Sequence, residues 1–120
     1  MVHWNEVLRL NPDNYNAHNN LGIALAWKGR SDDAIRHYTE ALRIRSDLPE
    51  THTNLGIQLA RRGQLDRAIE HYTTALRLRP GFALAIRNLK AAMGAQGKSD
   101  REIQAYLDSL HVRLLDTAGR

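Results

Sequence analysis

Cysteine is missing from the 120 residues, which excludes a disulfide framework, a zinc finger and thiol chemistry and leaves packing alone to hold the fold. The same absence leaves the redox compartment open. Long apolar runs are missing too. No stretch approaches the roughly 20 consecutive apolar residues of a membrane-spanning helix. Met1–Leu10 carries His3, Asn5, Glu6 and Arg9 where a secretion signal would carry an apolar run. The chain therefore reads as soluble, with the cytoplasm as the favoured compartment. Alternation of apolar and polar residues with period two is found nowhere, so strands are not expected. Nor does one charge dominate: 17 basic and 13 acidic residues give +4, and a hydrophobic content of 42% is ordinary for a soluble globular protein. A chain of this length builds one domain with a continuous core.

What the sequence does hold is a copy of itself. His18–Arg45, HNNLGIALAWKGRSDDAIRHYTEALRIR, returns 34 residues later as His52–Arg79, HTNLGIQLARRGQLDRAIEHYTTALRLR. Over the full frame, Tyr15–Leu48 and Pro49–Phe82 share 18 of 34 positions, and Ala83–Asp116 keeps 9 of 34 against the second. A fixed period of this size indicates supersecondary units that stack on one another.

Each copy reads as two helices. In the first, Asp13 or Asn14 caps a helix running to about Lys28, with Leu21, Ala24, Leu25 and Ala26 apolar and Gly29 as a left-handed stop. Ser31 or Asp32 then caps a second helix that buries Ala34, Ile35, Tyr38, Ala41, Leu42 and Ile44. Asp32 and Asp33 sit at its positive end, and Arg43 and Arg45 at its negative end. The pattern recurs over Thr53–Arg62 and Asp66–Arg79, and again over Leu84–Gln96 and Asp100–Leu115. Met1–Leu10 is helical with Trp4, Leu8 and Leu10 on the frame of Tyr38, Leu42 and Ile44, so it corresponds to a second helix alone. The residues from Leu115 to Arg120 read as a frayed end. One domain over 1–120 results: a half-repeat helix at 1–14, repeats at 15–48 and 49–82, a degenerate terminal repeat at 83–116 and a tail at 117–120.

The period, the two helices per unit and the placing of small and large residues make the chain resemble tetratricopeptide repeat proteins. The residues that carry the resemblance are Leu21-Gly22 and Leu55-Gly56, the alanines Ala34, Ala41, Ala68 and Ala75, the aromatics Tyr38 and Tyr72, and the closing Pro12 and Pro80. It implies an all-α, right-handed α-solenoid of helix-turn-helix repeats. Glycine and alanine on facing helices allow a close approach of the two axes, and the tyrosine fills the space toward the next unit. The third unit departs from the pattern, with Lys90 at the glycine position and Glu102 and Ser109 at alanine positions. Such polar replacements suit an outermost repeat. A half-repeat at one end and an uncovered helix at the other give an expectation of self-association, head-to-tail or two-fold.

The resemblance further implies that the first helix of each unit lines a concave groove. That places Asn16, Asn19, Asn20, Ile23 and Trp27 there from the first unit. Glu50, Thr53, Asn54, Ile57 and Arg61 come from the second, and Arg87, Asn88 and Ala91 from the third. Asn20, Asn54 and Asn88 share one slot, a ladder of amides that can donate to and accept from a peptide backbone. Two readings stand side by side: a peptide-holding ladder, or a polar residue tolerated once per repeat. Family members that clamp chaperone C-termini need basic groups at slots where this chain has Asn19, Leu84 and Asn88, with only Asn54 matching, so that clamp is not expected. Arg61, Arg62, Arg87 and Lys90 can instead form a weaker basic patch for an acidic segment. Trp27 stands where the second unit has Arg61. It is either an anchor for a ligand side chain or a ring folded over the half-repeat helix.

The reading that follows is a non-catalytic module that binds a protein or peptide in its groove. The alternative is a scaffold or oligomerisation segment of a larger protein, such as the repeat region of a bacterial glycosyltransferase. A pI near 9.9 invites a nucleic-acid reading, but the arginines recur with the repeat and no aromatic lies in a base-stacking motif, which argues against it. Equivalent histidines, such as His3, His37 and His71 or His18 and His52, lie about one helix spacing apart, roughly 10 Å, too far for one metal, and read as inherited with the repeat. No metal, cofactor or catalytic group is expected.

Overall fold

The computed structural model describes the backbone of residues 3–118 and the side-chain surroundings of residues 3–110. Among the described residues seven helices follow one another: α1 (Trp4–Leu10), α2 (Tyr15–Trp27), α3 (Ser31–Ile44), α4 (Pro49–Arg61), α5 (Leu65–Leu78), α6 (Ala83–Ala95) and α7 (Asp100–Ala118). No strand occurs among the described residues. The array is flattened and elongated, 47 × 36 × 21 Å.

Glycines close the first helix of each unit. Gly29 takes φ 76° and Gly63 φ 79°, a left-handed conformation that costs glycine nothing. Around Gly29 the Arg30 N–H donates to Leu25 O (2.9 Å) and the Gly29 N–H to Ala26 O (3.0 Å), so the last carbonyls of α2 are satisfied as the chain reverses. Gln64 and Gly63 repeat the arrangement onto Leu59 and Ala60.

Helix starts vary more. Asn14 caps α2, its side chain accepting from Ala17 N–H at 3.0 Å. The expected cap of α3 by Ser31 or Asp32 is not found: Arg30 occupies the cap position, and Ser31 Oγ donates instead to Gln58 Oε1 in α4 (2.8 Å). The α4 helix begins at Pro49, one turn before the Thr53 start read from the sequence, because proline's fixed φ suits a first helical position. In the third unit Ser99 and Glu102 form a reciprocal capping box: Ser99 Oγ accepts from Glu102 N–H (3.1 Å), and Glu102 Oε1 accepts from Ser99 N–H (3.2 Å). Glu102, which breaks the alanine pattern, is thus used at the start of α7. Hydrogen bonding from the Ser99 N–H, and then from the Ser99 side chain, holds its carboxyl below the usual range. Helix α7 runs over Asp100–Ala118, past the Leu115 from which a frayed end was expected, and the segment holds neither glycine nor proline. Residues 119–120 lie outside the described ones, as do the side chains of Leu114 and Leu115.

Within units α2 packs along α3 and α4 along α5; α3 on α4 and α5 on α6 join successive units, and α1 lies on α2. The core that runs through them holds Leu25, Ala34, Tyr38, Leu55, Leu59, Ala68, Tyr72, Ala75, Leu76 and Leu89. Tyr38 and Tyr72 are among its largest fully buried side chains. In the third unit, among the described residues, α7 packs more sparsely on α6. There Tyr106 turns its hydroxyl to Thr73 Oγ1 of α5 at 2.8 Å.

Candidate functional site

Of the first helices, α4 touches both α2 and α6. Between α2 and α4 lies an open cavity of about 430 Å³ lined by Ile23, Ala26, Trp27, Gly29, Tyr38, Asn54, Ile57, Gln58 and Arg61. The helical spacing of Ile23 and Trp27 on α2, and of Asn54, Ile57 and Arg61 on α4, sets these five on facing stripes. Five of the residues predicted for the groove therefore meet in one place.

Trp27 is 87% exposed, so it does not fold over the half-repeat helix; its ring stands at the mouth of the cavity. Arg61 is exposed and forms no ion pair among the described residues. Its neighbours are neutralised: Arg62 Nε is 3.0 Å from Asp32 Oδ1, and Arg30 is 2.6 Å from Asp33 Oδ2. The basic patch expected from Arg61, Arg62, Arg87 and Lys90 thus narrows at this cavity to Arg61. The floor is apolar, formed by Ile23, Ala26 and Ile57 over the buried Tyr38. Burial pushes the Tyr38 hydroxyl up to about 12, with Arg61 acting weakly the other way.

The remaining predicted residues divide. Asn16 is exposed and Asn20 half-buried on α2 outside this cavity, and Arg87 is exposed on α6. Thr53 is not on the groove surface: it is fully buried, with its hydroxyl donating to Pro49 O at 2.9 Å. Asn19 accepts from Thr51 Oγ1 at 2.8 Å, which ties α2 to α4. Asn88 donates from Nδ2 to Leu84 O of its own helix at 2.8 Å, so the third rung of the asparagine ladder is turned onto its own backbone. Only Asn54 of the three rungs lines the cavity.

Sequence reasoning missed Gln58. It is buried in the cavity wall with its carbonyl oxygen held by Ser31. The signal was present, since the equivalent positions in the other units are Ala24 and Ala92.

It missed the histidine pairing as well. His18 of α2 meets His37 of α3 with Nδ1 atoms 3.1 Å apart, and His52 meets His71 at 3.0 Å. Among the described residues no cluster of three metal-ligating side chains occurs. No helix there is long and apolar enough to cross a membrane.

Two family models, each described as tetratricopeptide repeat, match the chain, one over residues 13–80 and the other over 53–113. Among solved structures, the crystal structure of MamA protein is similar with a TM-score of 0.76 at 20% identity, covering 94% of this chain. The chain spans 59% of that chain's length. No curated protein matches the sequence.

Proposed function

The chain belongs to the tetratricopeptide repeat family, and from that membership we propose that its concave face binds an extended acidic segment of a partner protein. The family's repeats are typically non-catalytic interaction modules, so a protein-interaction or scaffold role holds at the coarse level. The observation that carries the finer reading is the convergence of Ile23, Trp27, Asn54, Ile57 and Arg61 on one open cavity. An apolar side chain fits the Ile23–Ile57 floor against the Trp27 ring. Asn54 offers a donor and an acceptor to the segment's backbone, and a neighbouring carboxylate meets Arg61.

Fluorescence anisotropy with two sets of labelled peptides tests this. One set carries a Leu or Phe flanked by Asp and Glu, and the other the same apolar residue flanked by Lys. The acidic set should bind, Arg61→Glu should reverse the preference, and Trp27→Ala should weaken binding roughly tenfold or more. Equal binding of both sets, or binding indifferent to both variants, overturns the reading.

A second reading, a scaffold that joins copies of the chain, is favoured by apolar residues left in water on the last turns of second-type helices. Leu10 is 72% exposed and its repeat equivalent Leu78 is 42% exposed. Sedimentation velocity over a wide concentration range decides it: a monomer throughout removes this reading and leaves the groove reading untouched.

A further inference from the structure

The histidine pairs are built alike in the first two units and absent from the third. His18 Nε2 lies 2.9 Å from Pro12 O, and His52 Nε2 lies 2.9 Å from Ser46 O. A carbonyl only accepts, so each of these nitrogens carries a proton and donates it. In the neutral ring that leaves Nδ1 as an acceptor, and the facing His37 or His71 donates its Nδ1–H to it. Each pair therefore joins the two helices of its unit and also anchors the turn that precedes the unit. His18 and His52 are buried, and His37 and His71 half-buried. The third unit carries Ile86 and Ala105 at the corresponding positions.

Proton bookkeeping sets what acid does. One added proton can be held by the pair, because a single charged ring still donates from Nδ1 to the unprotonated Nδ1 of the other. A second proton cannot: both Nδ1 atoms then carry hydrogens and both rings carry charge, facing each other at about 3 Å. We propose that the two pairs are graded acid-sensitive latches, in which the first unit loosens before the second and the third has no latch at all.

The grading comes from places where the copies differ. On α3 the groups acting on His37, apart from His18, are Arg36, which opposes its protonation, and Asp33 and Glu40, which favour it. In the second unit those two carboxylates are replaced by Arg67 and Thr74. The groups acting on His71 are His52 and Arg67, and both oppose protonation. Burial acts in the same direction as the largest cause for both rings. His37 is accordingly held below the ordinary histidine value, and His71 is lowered to about 4.

The sign follows. A histidine that resists its proton in the fold but accepts it when unfolded contributes stability above about pH 6.5, and that contribution is lost as pH falls from there toward 4.

Nitrogen-correlated NMR of the histidine rings in the full chain, followed from pH 8 downward, reads the latches in the wild type without mutation. His18 and His52 should show protonated Nε2 and bare Nδ1 at pH 7.5. His71 should titrate after His37, and Arg67→Asp with Thr74→Glu should raise the His71 midpoint toward that of His37. His71 titrating at the ordinary value, or with His37 and unmoved by that variant, overturns the proposal. Thermal melts give a second readout. Between pH 7.5 and 4.5 the wild-type melting temperature should fall by roughly 5–10 °C. His52→Ile with His71→Ala, which gives the second unit the third unit's residues, should reduce that fall. An equal fall in wild type and variant contradicts the latch.

Discussion

Gly56 of α4 lies directly beneath the ring of Tyr72 in α5: a Cβ at Gly56 would stand 2.5 Å from Tyr72 Cε1 and 2.9 Å from Cδ1. The first unit repeats the relationship, with Gly22 under Tyr38 at 2.6 and 2.8 Å. No methyl group fits there while the buried tyrosine keeps its place. The third unit shows the consequence of having one, since Lys90 stands at the glycine position and Tyr106 turns to Thr73 instead.

Gly56→Ala should therefore destabilise the chain by about 1–3 kcal/mol, although alanine is intrinsically the better helix former by roughly 1 kcal/mol. Chemical denaturation checks it. Tyr72→Ala, which leaves a cavity, should cost about 3–5 kcal/mol. The double variant should cost less than the sum, because removing the ring removes the clash.

The unit boundary carries its own polar contacts. Thr51 is buried and donates to Asn19 across α2 and α4, and Gln58 accepts from Ser31. Thr51→Val should cost about 1 kcal/mol, and Ser31→Ala about as much, in denaturant melts. Asn19→Ala should likewise lower stability, which separates it from a residue that serves a ligand alone.

High pH probes the two core tyrosines. Burial pushes both Tyr38 and Tyr72 up to about 12, against about 10 for a free phenol. Their neutral forms are favoured by the fold, so stability is intact below pH 10 and is lost as pH rises from 10 toward 12. Phenolate absorbance should show these two ionising late and together with unfolding.

Trp27 should behave in the opposite way to the tyrosines. Because it is 87% exposed, Trp27→Ala should change stability by no more than about 0.5 kcal/mol while weakening peptide binding. A large loss of stability would make the ring structural.

The fold was legible because the information repeats. Leu-Gly, the paired alanines and the tyrosine recur at one period, and each fits a packing requirement that the structure meets at Gly22–Tyr38 and Gly56–Tyr72. The stripes of Ile23, Trp27, Asn54, Ile57 and Arg61 were legible through the resemblance, which implies that first helices line a groove; helical spacing then keeps the named residues on one side of each helix. What escaped were contacts between different slots. Ser31 reads as a cap until Gln58 is found opposite it, and Thr53 reads as a surface residue until its burial is seen. His18 and His37 stand 19 positions apart, a separation that comparing one repeat with the next does not bring together.

The proposed docking of a partner segment in the α2–α4 cavity is tested most directly by the indole and guanidinium resonances of the cavity rim. The chain has two tryptophans, so Trp4→Phe assigns the Trp27 indole N–H in a proton–nitrogen spectrum. On titration with an acidic, leucine-containing peptide, the Trp27 indole and Arg61 Nε–H signals should shift together and saturate with the binding curve, while Trp4 stays in place. Saturable binding that leaves Trp27 and Arg61 unmoved and shifts α1 or the second-helix face instead would contradict the account.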